Sequence, residues 1–151
     1  MALSRPKQPE LLRARILEAA QGVLLDEGLA AVTHDRVLAR TGISKGGLQH
    51  HFRTKQLLLD ALFDQLFASF VAQYELALAQ EPAGPARRMR AYVKASRRNA
   101  LDVAHSGRAT VLLALGDEQY QARWSRFLDE TLAPDTLDGA TLLACRLAAD
   151  G

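Results

Sequence analysis

Lys45 and Gln49 stand one helical turn apart in the stretch SKGGLQHHF, residues 44–52. A lysine ammonium at a helix start can meet a phosphate or the O6/N7 edge of guanine. A glutamine amide one turn later can make paired hydrogen bonds to adenine. His50 and His51 follow directly. Adjacent histidines point to different sides of a helix, so they are no chelating pair, and phosphate contact or simple packing remains for them. Lys55 falls in the first turn of a further helix, where positive charge beside exposed amides binds phosphate well. Thr33 and Ser44 can donate to phosphate too, although a capping role is enough to explain both. Gly46 and Gly47 each cost a helix about 1 kcal/mol relative to alanine, which makes sense where backbone must approach something closely, either DNA or a crossing helix. Taken together, the chemistry is that of reading a DNA duplex.

The elements that must position these groups are helices. Residues 33–52, THDRVLARTGISKGGLQHHF, have the form of two short helices about a tight turn, a helix-turn-helix. Thr33 caps the first, with Asp35 in its first turn, and Gly42 closes it. Ser44 caps the second, on which Leu48 and Phe52 share a face. In such a unit the first helix braces across the DNA backbone and the second lies in the major groove. Ahead of it, a helix from Pro9 to Glu27, stopped by Gly28, places Leu12, Ile16, Ala19, Ala20, Val23 and Leu24 on one face. Behind it, Thr54 caps a long helix to about Gln80. Its apolar positions (Leu57, Leu58, Leu62, Phe63, Leu66, Phe67, Phe70, Val71 and Tyr74) cover more than one stripe, as a helix bridging two sets of neighbours requires.

Glu81 to Pro85 reads as a break, followed by a helix to about Ala104 that carries Met89, Tyr92 and Val93 inward. Arg87, Arg88, Arg90, Lys94, Arg97 and Arg98 on that helix read as a solvated face rather than a second nucleic-acid surface, because the surrounding region is net acidic. Ser106 and Gly107 are expected to break the chain before a short apolar helix around Val111 to Leu115. Gly116 and Asp117 start another, holding Tyr120, Trp124, Phe127 and Leu128. Pro134 begins a last one, with Leu137, Ala140, Thr141, Ala144, Leu147 and Ala148 recurring on one side. The predicted fold class is all-α.

Composition excludes several other classes. With 151 residues, 48% hydrophobic and 24% charged, the chain has the balance of a globular protein. Its one cysteine, Cys145, rules out an internal disulfide and a paired-cysteine zinc site, and fits a reducing compartment. Cys145 lies in an apolar stretch with no histidine nearby, and no Gly-rich phosphate loop or nucleophile elbow occurs, so neither an enzyme nor a cofactor or metal is expected. No apolar run approaches the ~20 residues of a membrane span, and the N-terminus lacks the apolar core of a signal peptide. A soluble cytoplasmic protein without a membrane partner is expected. Through Lys55 the chain holds nine Lys/Arg against five Asp/Glu, and beyond it ten against twelve, so the net +2 splits into +4 and −2. This suits an N-terminal unit that meets a polyanion, although ordinary solvated surfaces carry as much charge.

Thr33, Val37, Gly42, Ile43, Ser44, Gly46, Leu48, His51, Phe52, Lys55 and Leu57, preceded by an amphipathic helix and Gly28, closely resemble the N-terminal domain of the TetR family of transcriptional regulators over about residues 10 to 60. The resemblance implies a three-helix DNA-binding domain, residues 1–53. It also implies a larger helical domain, residues 54–151, that binds a small effector and dimerises. It makes Lys45, Gly47, Gln49 and His50 groove-facing, and Thr33, Arg36, Ser44, His51 and Lys55 contacts to the DNA backbone. Two positions differ from the family pattern. Gln49 replaces a tyrosine that usually touches phosphate, so that contact is either lost or turned to base reading, and Leu38 replaces a small alanine where the two motif helices cross.

In the second domain, Phe67, Phe70, Tyr74, Tyr92, Trp124 and Phe127 offer enough aromatic surface to line an effector pocket or simply to fill a core. The expected function is a homodimeric repressor on a palindromic double-stranded operator, released by a small hydrophobic effector. That effector would swing the bridging helix and change the ~34 Å separation of the recognition helices. The alternative is a helical protein-interaction module without DNA binding. Family members are generally longer and use two C-terminal helices per subunit to dimerise, so this chain is expected to be truncated in the first of them.

Overall fold

The structure, a computed structural model, describes residues 8–102 and 105–150, and every regular element among them is a helix. The chain divides into two compact units, Met1–Asp64 and Gln65–Gly151. The division between these units falls inside the long helix, whose first turns, with Leu58, Leu59, Leu62 and Phe63 buried, group with the first unit.

In the first unit α1 (Gln8–Glu27) packs on α2 (His34–Thr41) and on a 3-10 turn at Leu29–Ala31, and α2 packs on α3 (Lys45–His51). The buried face of α1 is Ile16, Leu17, Ala19, Ala20, Val23 and Leu24, with Leu12 half-buried. The starts of α2 and α3 are each capped by the residue just before them. Thr33 Oγ1 accepts from the Arg36 amide at 3.3 Å, and Ser44 Oγ accepts from the Gly47 amide at 3.1 Å. For α4 (Lys55–Gln80), Thr54 Oγ1 accepts from the Leu57 amide at 3.1 Å. Gly42 turns the chain out of α2 at φ +66°, a left-handed conformation that glycine adopts without strain. Val37, Leu48 and Phe52 are buried, so the motif is anchored from within.

The second unit holds the rest of α4 with α5 (Arg87–Ala100), α6 (Ser106–Gly116), α7 (Glu118–Leu132) and α8 (Gly139–Asp150). Its core is Phe70, Tyr74, Ala77, Met89, Ala91, Tyr92, Ala95, Leu128 and Leu132. Helix α5 lacks a cap of its own, since Ala86 has no acceptor side chain. Asp135 supplies one instead, accepting from the amides of Arg88 at 3.2 Å and Met89 at 2.8 Å.

Five local expectations are corrected here. Helix α5 ends at Ala100, well short of Ala104, which lies outside the described residues, and Val93 is 38% exposed because it sits at the edge of the Met89, Tyr92, Ala95 and Asn99 stripe. Ser106 and Gly107 do not break the chain. They form the first turn of α6, and the change of direction is made at His105, φ +55°. A Cβ at Gly107 would lie 2.9 Å from the Asn99 carbonyl oxygen, so this glycine serves the close approach of α6 to α5. Pro134 precedes α8 rather than starting it, and Asp138 caps that helix through the Thr141 amide at 3.0 Å. Finally, α8 packs through Leu142, Cys145 and Ala149, while Leu147 on the expected face is 64% exposed. A helix this rich in Ala and Leu is apolar on most sides, and only its neighbours choose the buried one.

Candidate nucleic-acid interface

Helix α3 is short, capped and outward-facing. Lys45, Gln49 and His50 are exposed, while Leu48, on the opposite side, is fully buried. No carboxylate pairs with Lys45 among the described residues, so its ammonium is available to an external anion. The two glycines behind it differ. A Cβ at Gly46 would meet nothing, whereas one at Gly47 would lie 3.2 Å from Ser44 Oγ and 3.8 Å from Leu12 of α1. Gly47 is thus tied to the cap and to a crossing helix, and Gly46 faces open space. Ser44 is exposed and holds its capping bond, and Thr33 is half-buried in the same role.

The remaining expected contacts carry internal partners. Arg36 pairs with Glu27 at 3.0 Å, beside a second pair of Arg40 with Asp26 at 2.6 Å, which moderates the charge of α2. Lys55 Nζ donates to the Ala30 carbonyl at 3.2 Å, tying α4 to the 3-10 turn. An ammonium has three donors, so that bond leaves capacity for a phosphate. His51 is half-buried, its ring 5.5 Å from that of His50 and 6.3 Å from that of Phe52. Among the described residues no group of His, Cys, Asp or Glu is gathered as a metal would need. Arg53, between α3 and α4, is exposed, and among the described residues no carboxylate pairs with it, so it belongs with this surface. Its place beside Lys55 was the signal in the sequence.

In the second unit the six aromatic residues come together as a stack of edges and faces. Phe67 lies 5.9 Å from Trp124 and 5.3 Å from Phe127, Phe70 lies 4.7 Å from Trp124 and 6.0 Å from Tyr92, and Tyr74 lies 5.9 Å from Phe127, measured between centroids. Burial pushes the Tyr74 phenol above its ordinary value of 10.0 against the opposing influence of nearby Arg88, so this hydroxyl stays protonated. A cavity of about 650 Å³ adjoins the stack, and of the six only Phe70 and Trp124 line it.

The cations of α5 are largely engaged. Arg87 donates to the carbonyls of Leu78 and Glu81, Arg88 to that of Thr131, and Arg90 and Lys94 both pair with Glu81, whose side chain is 2% exposed. Hydrogen bonds from Lys94 and then Arg90 hold the Glu81 carboxyl below its ordinary 4.5.

Residues 16–62, from within α1 to the start of α4, match the profile of "Bacterial regulatory proteins, tetR family". Over these residues the chain is similar to the N-terminal domain of that family. The chain is also similar to the HTH-type transcriptional repressor KstR2 of Mycolicibacterium smegmatis, with 30% identity over 75 residues. That similarity covers 50% of this chain and 37% of the repressor, so the chain spans well under half of the length of that relative. The fold is similar to that in the crystal structure of a TetR-like transcriptional regulator from Rhodococcus sp. RHA1. The TM-score is 0.70 at 20% identity, covering 97% of this chain and 85% of that one, and this likeness shows the fold. Among the described residues no helix is long and apolar enough to cross a membrane.

Proposed function

We propose that this protein is a sequence-specific, double-stranded-DNA-binding regulator of transcription, acting as a repressor and released from its operator by a small apolar effector. The observation that carries the first part is the outward face of α3, where an unpaired Lys45 precedes Gln49 and His50 on a helix held from behind by buried Leu48. That is the surface a major groove accepts, with Lys45, Gln49 and His50 toward base edges and Thr33, Arg36, Ser44, His51, Arg53 and Lys55 toward phosphates. Two copies related by a two-fold axis would read a palindrome. Leu143 and Leu147, 58% and 64% exposed on α8, support self-association.

The effector reading is supported by the cavity beside Phe70 and Trp124, whose volume of about 650 Å³ fits a small molecule. Binding there would bias α4, the helix common to both units, and operator affinity would change without any contact to DNA. No catalytic role is proposed, since Cys145 packs against the core of the second unit.

Selection of bound sequences from a random duplex pool tests the reading. A palindrome is expected, bound by the wild-type chain and lost in Lys45→Glu. Recovery of no preferred sequence, or binding indifferent to both salt and Lys45→Glu, would leave the protein-interaction reading in its place.

A further inference from the structure

The cavity of the second unit has a mostly apolar wall, with Val111, Leu112, Leu115 and Trp124 contributed by α6 and α7. Helix α5 places Asn99 in that wall, 6% exposed, and its Oδ1 has no hydrogen-bond partner. The other side chains of this buried stripe include Ala91 and Ala95, so the fold tolerates small apolar groups along it. A buried amide oxygen without a protein donor is costly, and a ligand that brings a donor removes that cost. The amide is also confined. Gly107 approaches so closely that a Cβ there would stand 2.9 Å from the Asn99 carbonyl oxygen and 3.1 Å from Nδ2, so α6 closes directly over the residue. Arg108, the charged side chain of the lining, is exposed, so nothing buried in the wall would neutralise an ionic group.

We infer that the cavity takes an uncharged, predominantly apolar molecule bearing one hydroxyl or amide N–H, which donates to Asn99 Oδ1. This rests on the effector reading above and narrows its chemistry. The ligand would be chosen by the presence of a donor, because an analogue lacking it leaves the buried oxygen unsatisfied.

Trp124 is the sole tryptophan of the chain and lines the cavity, so its fluorescence reports occupancy directly. The probes are 4-hexylphenol and its methyl ether, 4-hexylanisole, which differ in the donor and little else, titrated into the full chain. Both are expected to perturb Trp124, the phenol binding roughly 10-fold more tightly. In Asn99→Leu, checked for helicity by circular dichroism, the two are expected to bind alike. Equal affinity of the wild-type chain for both probes overturns the role of Asn99 while leaving the effector reading standing, and needs no variant to be decisive. Discrimination that survives in a folded Asn99→Leu overturns it as well. If neither probe alters Trp124 emission or the melting temperature, the effector reading fails together with the inference.

Discussion

Lys45 carries its ammonium into solvent without a carboxylate partner, whereas Arg36 and Arg40 on the neighbouring helix are held by Glu27 and Asp26. The two kinds of cation therefore answer differently to charge reversal. Lys45→Glu is expected to abolish operator binding while leaving the thermal midpoint unchanged, because no internal contact is lost. Arg36→Glu sets two carboxylates side by side and is expected to lower stability by about 0.5–1 kcal/mol in urea denaturation. Gln49→Ala should weaken binding by ~1–3 kcal/mol and relax the preference at one adenine, read by competition between operator variants. The glycines separate in the same way. Gly46→Ala is expected to stabilise the first unit by about 1 kcal/mol, since its Cβ enters open space and the helix former replaces glycine. Gly47→Ala should gain less, because the new methyl presses on Ser44 Oγ, which caps the same helix through the Gly47 amide. Equal melting temperatures for the two variants would contradict that difference.

At the scale of elements, the caps divide into those made locally and those made at a distance. Thr33, Ser44 and Thr54 each bond an amide three residues on, a distance the chain itself guarantees, and all three were readable as N-caps from residue type. Helix α5 is held by Asp135, whose carboxylate comes from a separation of 46 and 47 residues, and no local pattern could announce it. Asp135→Ala should cost the second unit about 1–2 kcal/mol, seen as a lower denaturation midpoint.

The start of the same helix also carries a pH dependence. Glu81 sits between Lys94 and Arg90, which depress its folded-state value below 4.5. A depressed carboxylate stabilises the fold above its unfolded value, and that stability is lost as pH falls through the lower folded value. The melting temperature is therefore expected to fall on acidification below about pH 4.5, and Glu81→Gln should flatten part of that fall. Asp138, depressed by its hydrogen bonds to Thr141, accounts for a share of the remainder.

For the molecule as a whole, the charge split between its two ends translates into salt dependence. If about four phosphates are neutralised per complex, operator affinity should drop roughly 100-fold between 50 and 200 mM salt, a slope measurable by fluorescence anisotropy. Sequence alone determined the all-helical class and the limits of α1 to α4, the short capped helix α3 among them. These rest on interactions between residues three or four positions apart, which residue type and period specify directly. Tertiary structure decided the rest. Which side of α8 is buried, that Ser106 and Gly107 open a helix instead of ending one, and that Asn99 faces a cavity beside the aromatic stack all depend on partners far along the chain. An apolar periodicity records that a surface must be covered, but the covering partner is set by packing between helices, and packing has no signature in any short window of sequence.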